Sequence, residues 1–258
     1  MSQHYTFGDS ERAAARLAVL AAVFEPTTRE LLSGLAAAPV TRALDLGCGP
    51  GHSTELVHHA LRARETWGLD ASERLIDRAR TRLGPPLHFA VHDITRSPMP
   101  VVGADVAFAR HVLAHLADPA SVLAACATAV RPGGCLVLEE TAALDSSDPV
   151  FAQYYRCVAT LQAHYGQNTF VGLRLDAIAA ASPWRLNTFV CRHTQIDARS
   201  MATLHAMNVR TWQTDAFAAA HFPPEQLREM TAALDAVAAG ERTAPPVSCG
   251  IGQAVLRI

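Results

Sequence analysis

Apolar residues recur at helical spacing near the start of the chain. Between residues 10 and 37 they stand three or four positions apart, as on one face of an amphipathic helix. Pro26 interrupts this pattern, because an interior proline removes a backbone donor and clashes with the preceding turn. The pattern therefore predicts two helices, with Thr27 or Thr28 as the N-cap of the second and Pro39 at its end.

From residue 41 onward, short apolar runs alternate with amphipathic segments. The runs predict strands at residues 41–47, 65–70, 87–91, 105–108 and 135–139. The segments between them predict helices at 52–63, at 73–83 with Ser72 as N-cap, and at 119–130, followed by a turn at 131–134. Alternation of this kind is typical of a parallel, doubly wound sheet.

The alternation stops after Glu140. Helical patterns then cover residues 149–165, 172–181 and 198–240, the last with a break at Pro223 and Pro224. Residues 184–193 and 250–258 have the pattern of strands, so the end of the chain is expected to return to the sheet.

Charge and composition exclude several classes of protein. The formal net charge is −2 and no basic block occurs, which argues against a nucleic-acid partner. No apolar run of about 18 residues is present and the first residues lack an apolar signal core, so we expect no membrane span and a cytoplasmic location. None of the six cysteines forms a C-x-x-C pair, which favours reduced thiols.

A glycine-rich loop gives the strongest chemical signal. Asp45-Leu-Gly47-Cys-Gly49-Pro-Gly51 follows a predicted strand and precedes a predicted helix. Glycines there permit a tight turn and let a ligand approach bare backbone. Dinucleotide loops usually read G-x-G-x-x-G, whereas here the third glycine comes one residue earlier. A tight structural turn is the alternative interpretation of the loop alone.

Two acidic residues follow this loop, each at the end of a predicted strand. Asp70 ends the second predicted strand, where an acid can hold both hydroxyls of a ribose. Asp93 ends the third, where a carboxylate can accept from the exocyclic amine of an adenine. Open α/β sheets bind ligands at the carboxyl ends of their strands, so loop and acids predict one nucleoside-binding site.

These segments together resemble a known superfamily. DLGCGPG, GLDAS, HDI and RPGG, in this order, are similar to class I S-adenosylmethionine-dependent methyltransferases of the small-molecule and natural-product type, including the ubiquinone/menaquinone type. The resemblance covers residues 5–140 well and implies S-adenosylmethionine as cofactor. The positions that it assigns to the cofactor are Tyr5, Gly47, Cys48, Gly49, Asp70, Ala71, His92, Asp93, Ile94 and Arg110.

The resemblance also implies a fold and its division. The expected fold class is α/β: a Rossmann-like doubly wound sheet, mostly parallel with a C-terminal antiparallel strand, plus N-terminal helices and a helical substrate lid. Residues 1–40 would form a helical segment covering the cofactor, and residues 41–145 the cofactor-binding core. Residues 146–258 would supply the lid insertions and the last strands.

His111 and Tyr5 are the candidate catalytic residues. His111 follows the fourth strand and could face the transferred methyl group, while Tyr5 could equally be an aromatic core residue beside the helix. His111 and His115 have the i, i+4 spacing of two ligands on one helical face, but Val112 replaces the glutamate of a metalloprotease motif. We therefore expect no metal and interpret His115 as structural.

Candidate substrate contacts lie in the insertion after the fifth strand. They are Tyr155, His164, Tyr165, Asn168 and Arg174. The alternative is an amphipathic helix pair whose aromatic residues belong to the core.

The sequence thus predicts methyl transfer from S-adenosylmethionine to the C, N or O atom of a small molecule. The acceptor is expected to be a bacterial secondary metabolite, aromatic or indolic, by analogy with the family. A homodimer is possible, with no nucleic-acid or membrane partner. The alternatives are a non-methylating enzyme or regulatory protein that binds the same cofactor, and an NAD-dependent oxidoreductase.

Overall fold

A twisted sheet with the strand order β3-β2-β1-β4-β5-β7-β6 organises the computed structural model, which describes residues 8–35 and 39–258. All strand pairs are parallel except those of β7, which runs antiparallel to β5 and β6. The strands are β1 Arg42–Leu46, β2 Glu65–Asp70, β3 Leu87–Val91, β4 Ala104–Arg110, β5 Val130–Asp145, β6 Arg185–Ile196 and β7 Val247–Arg257. The predicted α/β fold class with an antiparallel C-terminal strand is confirmed.

Helices connect the parallel strands and build a further layer. They are α1 Glu11–Ser33, α2 His52–Leu61, α3 Glu73–Arg82, α4 Pro119–Ala127, α5 Pro149–His164, α6 Leu175–Ala180, α7 Ala198–Trp212, α8 Ala216–His221 and α9 Pro224–Ala239. Ser72 caps α3 as predicted, because its hydroxyl accepts from the Leu75 amide at 3.3 Å. None of the described helices is long and apolar enough to cross a membrane.

The two faces of the sheet are buried against different helices. Alternate residues of a strand point to opposite faces, so Ala43 packs with α1 and α2 while Leu44 packs with α4 and α6. A separate apolar cluster joins α5, α7 and α9 to the start of β7. The loops that follow β1 to β4 come together at the carboxyl edge of the sheet, between these layers.

The prediction of two N-terminal helices is wrong, because α1 continues through Pro26. Phe24, Thr28 and Leu32 are spaced four residues apart and form one buried face that spans the proline. The Thr28 hydroxyl also lies 2.5 Å from the Glu139 carboxylate on β5. Packing along this face outweighs the local cost of the proline.

The fifth strand is longer than predicted at both ends. Residues 131–134, expected as a turn, belong to β5, which pairs with β4 at Val130 and continues past an irregularity between Ala104 and Val106. At the other end, β5 stays paired with β7 as far as Asp145. Pairing with neighbouring strands therefore determines its length.

Candidate functional site

A cavity of about 680 Å³ lies at the carboxyl ends of β1 to β4. Its described walls come from the four loops that follow these strands and from α1. The volume is in the range of sites for small molecules and cofactors. Eight of the ten residues that the resemblance assigns to the cofactor line this cavity.

The strand order determines the order in which charged and polar groups follow one another along the cavity. Because the order is β3-β2-β1-β4, Asp93 and Asp70 come first, then the glycine loop, then Arg110 and His111. One end of the cavity therefore carries two carboxylates, with Arg96 beside Asp93, and the other carries a guanidinium and imidazoles.

The glycine loop presents backbone to the cavity. Gly47 and Gly49 have φ angles of 70° and 53°, which favour glycine. A Cβ atom at Gly47 would lie 2.5 Å from the Val112 Cγ2 atom, so the loop after β1 touches the loop after β4. Both glycines line the cavity, whereas Cys48 is buried and is not among its lining residues.

Asp70 joins two of the loops. Its Oδ2 accepts from the Gly49 amide at 2.8 Å, and its Oδ1 accepts from the Ser72 amide at 2.8 Å. Burial raises the pKa of this carboxyl, and the two amides oppose that effect. Asp70 and Ala71 line the cavity, so the carboxylate is held rigidly where a ribose is expected.

The loop after β3 forms the acidic end of the cavity. His92, Asp93 and Ile94 all line it, and their contact with the cofactor stays a prediction. The Asp93 carboxylate accepts from the Thr95 amide at 3.0 Å and from its hydroxyl at 2.7 Å. These bonds fix the orientation of the carboxylate.

Asp45 stabilises the loop from beneath. It is 1% exposed, and the hydroxyls of Ser53 and Thr54 each donate to its Oδ2 at 2.7 Å. Burial raises its pKa to about 6, although these hydroxyls lower it. Its position ties the first turn of α2 to β1.

Arg110 lines the cavity and is anchored from α1. Its Nη1 donates to the Thr28 hydroxyl at 2.8 Å, and the Thr28 hydroxyl in turn donates to Glu139 Oε1 at 2.5 Å. Gln253 on β7 donates to Glu139 Oε2 at 2.7 Å. This network of Thr28, Arg110, Glu139 and Gln253 connects α1, β4, β5 and β7 behind the cavity.

His111 and His115 do not share a helical face. His111 has a φ angle of 54°, and Leu113–His115 form a single 3-10 turn, so the helical interpretation is wrong. Glu140 Oε1 accepts from the amides of Val112 and Leu113 at 2.8 and 2.7 Å. A buried carboxylate thus determines the shape of this turn.

Both imidazoles line the cavity in their neutral form. Burial, Arg110, His115 and Arg16 together hold the pKa of His111 well below its usual value. Burial and Arg16 lower the pKa of His115 to about 4, while a hydrogen bond with Gln167 opposes this. His115 therefore belongs to the cavity wall, beyond the structural role that its sequence context suggests.

One ring nitrogen of His111 is free to form a hydrogen bond with a ligand at this wall of the cavity. Its Nε2 atom is buried and makes no hydrogen bond to any described residue. Its ring meets Phe24 of α1 edge-on, with centroids 4.6 Å apart. A buried polar atom of this kind is expected to bond a ligand or water.

The five predicted substrate contacts are not among the described residues that line the cavity. Tyr155 is 7% exposed, with its hydroxyl 3.3 Å from the ring of His205. The hydroxyl of Tyr165 donates to Asp215 at 2.6 Å. These two contacts hold the helical layer together.

The other three predicted contacts have different surroundings. His164 stacks on Phe217 at 3.9 Å. The Asn168 amide donates to the Ala114 carbonyl at 3.1 Å, beside the 3-10 turn, and Arg174 is exposed. Substrate binding by these residues stays a prediction. Tyr5 lies outside the described residues.

Sequence analysis expected residues 1–40 to cover the cofactor, but it named none of the residues that α1 contributes to the cavity. Arg16, Leu17 and Leu20 line the cavity, and Arg16 is only 4% exposed. A signal was present, since Arg16 falls at helical spacing within the apolar face that includes Ala13 and Leu20. A charged residue in such a face calls for an explanation.

Among residues 8–35 and 39–258, no group of three or more histidine, cysteine or acidic side chains could hold a metal ion.

Comparison with known proteins finds matches for the central part of the chain. Residues 44–138 match the family described as a methyltransferase domain. Trans-aconitate 2-methyltransferase of Methylobacterium nodulans is 39% identical over 110 residues, which are 43% of this chain and 42% of that protein. The chain spans about half the length, or less, of the curated relatives it matches.

Solved structures share the fold over nearly the whole chain. The YcgJ protein of Bacillus subtilis has a TM-score of 0.57 and 15% identity, covering 90% of this chain and 97% of that one. Phosphoethanolamine N-methyltransferase 2 of Haemonchus contortus, in complex with S-adenosylhomocysteine, has a TM-score of 0.55 and 14% identity. That match covers 94% of this chain and 58% of the other. At these identities the likeness concerns the fold.

Proposed function

We propose that the chain is a class I methyltransferase, which transfers the methyl group of S-adenosylmethionine to a small molecule. The match of residues 44–138 to the family described as a methyltransferase domain supports this. The observation that carries the proposal is the Asp70 carboxylate. It is fixed by the Gly49 and Ser72 amides in the wall of a cavity large enough for the cofactor.

The lining residues fit the parts of the cofactor in order. Asp93 and Ile94 would bracket the adenine, and Asp70 would accept from the ribose hydroxyls. The bare backbone at Gly47 and Gly49 would adjoin the methionine moiety, with Arg110 beside it. A Cβ atom at Gly47 would collide with the Val112 side chain, so close packing of the two loops keeps the backbone bare at this position.

The cofactor supplies an electrophilic methyl group, so the protein has mainly to position the acceptor and exclude water. His111 lies at the expected methyl end with a neutral ring and an available Nε2 atom. We propose that Nε2 accepts a hydrogen bond, or the proton, from an acceptor that must lose one. Tyr5 stays a second proposed catalytic residue.

We further propose that the acceptor has an aromatic or indolic body, as in bacterial secondary metabolites. The apolar side chains of Leu17, Leu20 and Leu116 support this, because they line the cavity together with the His111 ring. The trans-aconitate methyltransferases among the relatives favour a small acid instead. An acid with an aromatic body satisfies both indications.

The remaining expectations are also proposals. Residues 1–40 would cover the cofactor and residues 146–258 would contribute the substrate lid. A homodimer and a cytoplasmic location stay predictions, and light scattering of the purified protein tests the first of these.

Asp70→Asn tests the proposed cofactor site. Loss of the charge-assisted hydrogen bonds to the ribose should weaken S-adenosylhomocysteine binding about 100-fold, because each such bond contributes roughly 1.5–3 kcal/mol. Isothermal titration calorimetry measures the affinity, and circular dichroism checks that the variant folds. Asp77→Asn, an exposed acid on α3, is the matched control and should bind as the wild type does.

Two results would contradict the proposal. Wild-type protein that binds NAD but not S-adenosylhomocysteine would indicate the oxidoreductase alternative. Unchanged S-adenosylhomocysteine affinity in Asp70→Asn would remove the basis for the site. Release of S-adenosylhomocysteine from S-adenosylmethionine, measured over a panel of small acceptors, then tests turnover.

A further inference from the structure

We propose that two copies of this chain pair edge to edge through β6, in antiparallel direction, around a two-fold axis at Cys191. The two sheets then form one continuous sheet. The inference does not depend on the proposed function, because β5 and β7 separate β6 from β4 and from the cavity beyond it.

β6 is a long strand at the end of the sheet. It has 12 residues, Arg185–Ile196, and pairs with β7 over this whole length. No strand pairs with its other side in the part of the chain that the structure describes. Strands usually have about 3–10 residues, and the unpaired N–H and C=O groups of a long edge strand are a template for another strand.

Neither face of β6 is covered by the helices that pack on the rest of the sheet. Nine of its residues are exposed, two are half-buried, and only Ile196 is buried. Val190 is 46% exposed and Leu186 is 38% exposed, so apolar side chains face solvent as well. The neighbouring helices therefore leave room for a second sheet edge to approach β6 in the plane of the sheet.

The middle of β6 lacks the features that usually keep sheet edges apart. These features are proline, lysine and β-bulges. Residues 188–194 contain neither proline nor lysine, and the one register shift of β6 against β7 lies before them, between Leu186 and Thr188. Arg192 is the one charged residue in this segment apart from the titratable His193, and it already pairs with Glu30 of α1 at 2.8 Å.

Antiparallel pairing around Cys191 makes this segment complementary to itself. Like charges directly opposite each other destabilise a strand pair, whereas aromatic and β-branched pairs stabilise it. With the axis at Cys191, no arginine faces an arginine. The facing pairs are Thr188 with Thr194, Phe189 with His193, Val190 with Arg192, and Cys191 with its own copy.

The ends of β6 carry opposite charges, which favours the antiparallel direction. Arg185 begins the strand and Asp197 follows its last residue, and both side chains are exposed. Antiparallel pairing around Cys191 brings Arg185 of each copy level with Asp197 of the other. Parallel pairing would place like charges together. A two-fold axis also pairs both free edges with each other, so the assembly closes at two subunits.

The size of the contact indicates how tightly the copies associate. Pairing of residues 186–196 gives a contact about 35 Å long and one strand wide. Such a contact is near the lower limit of specific interfaces, about 1,000 Å² in total. We therefore expect a dimer that dissociates at micromolar concentration.

Sedimentation velocity of the full chain tests whether it associates. Measured between about 1 and 200 µM, the wild-type protein should show a monomer–dimer equilibrium. A chain that stays monomeric over this range overturns the proposal.

Two substitutions of Val190 then test the surface and the register together. Val190→Arg places an arginine opposite Arg192 at two symmetric positions and should weaken association at least about 10-fold. Val190→Glu places a glutamate there instead and should keep or strengthen association. Val102→Arg, at a valine that is 58% exposed and lies outside β6, is the control and should associate as the wild type does. Circular dichroism and thermal unfolding check the fold of each variant.

The opposite effects of the two charges are what a structural role of Val190 alone would not produce. Equal weakening by arginine and glutamate would place the axis at a residue other than Cys191. Unchanged association in Val190→Arg would place the contact on another surface. Either result overturns the proposal.

The cysteines provide an independent test of the axis. Cys191 is exposed and the other five cysteines are buried. A short bismaleimide, which joins two thiols by addition, should therefore couple two wild-type chains but not two Cys191→Ser chains. Thr188→Cys in the Cys191→Ser background is the matched control, because its two thiols would lie about 20 Å apart across the axis. Coupling as efficient in this control as in the wild type would contradict an axis at Cys191.

Discussion

At the scale of single residues, Glu140 is a buried acid that holds the turn beside the cavity in place. Burial raises its pKa to about 8, although the amides of Leu113, Val112 and Ala114 lower it. Its Oε2 atom has no hydrogen-bond partner among the described residues, as suits a group that keeps its proton near neutral pH. The same side chain fixes the turn that directs His111 and His115 into the cavity.

Glu140→Gln should change how stability depends on pH. The folded-state pKa of about 8 exceeds the ordinary value of 4.5, so the folded protein holds more protons between these values. The stability contributed by protonated Glu140 is complete below pH 4.5 and is lost as pH rises toward 8. The free energy of unfolding of the variant, relative to wild type, should therefore increase over this window.

Chemical denaturation at a series of pH values measures this difference. Glu229→Gln, an exposed residue on α9, is the control and should follow the wild type at every pH. A constant difference between Glu140→Gln and wild type across the window would contradict a raised pKa. Glutamine retains an oxygen for the two amides, so we expect the variant to fold.

At the scale of elements, α1 is held to the sheet by a buried polar contact. The Thr28 hydroxyl lies between Arg110 and Glu139, one turn after Phe24 on the inner face of the helix. This contact supports the helix just beyond Pro26. It also anchors the arginine that borders the expected methionine site.

Thr28→Val should lower the free energy of unfolding by about 1–3 kcal/mol, because it leaves buried charged groups with one partner fewer. Valine has nearly the same shape, so little packing is lost. Urea denaturation gives the value, with Thr231→Val as control. The Thr231 hydroxyl bonds only to the Leu227 carbonyl of its own helix, and its loss should cost less. Equal losses in both variants would show that the network is unimportant for stability.

At the scale of the whole molecule, one apolar cluster joins the helical layer to β7 of the sheet. Phe151 of α5, Trp212 of α7 and Ile251 of β7 belong to one cluster, which Phe24 of α1 also joins. A layer that covers β7 in this way cannot separate without exposing the sheet. The protein should therefore unfold in one cooperative transition.

Phe151→Ala tests this continuity. Phe151 is fully buried, so its truncation should destabilise the protein by about 3–5 kcal/mol. Far-ultraviolet circular dichroism and tryptophan fluorescence should report the same lowered midpoint in denaturant. Leu173→Ala, where the side chain is 58% exposed, should cost less than about 0.5 kcal/mol. Two separate transitions in Phe151→Ala would mean that the helical layer unfolds alone.

The sequence by itself determined the alternation of strands and helices, the glycine loop and the acids at the ends of β2 and β3. These features depend on local information: side-chain periodicity, N-cap chemistry and the φ angles that glycine allows. Asp70 and Asp93 could be placed because a strand end in a parallel sheet has a defined position. That is why the presence of Asp70 and Asp93 in the cavity wall was predictable.

Only the tertiary structure decided the continuity of α1, the extension of β5 and the turn at His111. Each depends on a contact between distant residues, such as Thr28 with Glu139, which are 111 positions apart. The placement of Arg16 in the cavity wall also depends on distant residues, since no local pattern predicts what a helix face will pack against. Packing energies between elements exceed the local preferences that a sequence reveals, and here they shaped the end of the cavity that contains His111 and His115.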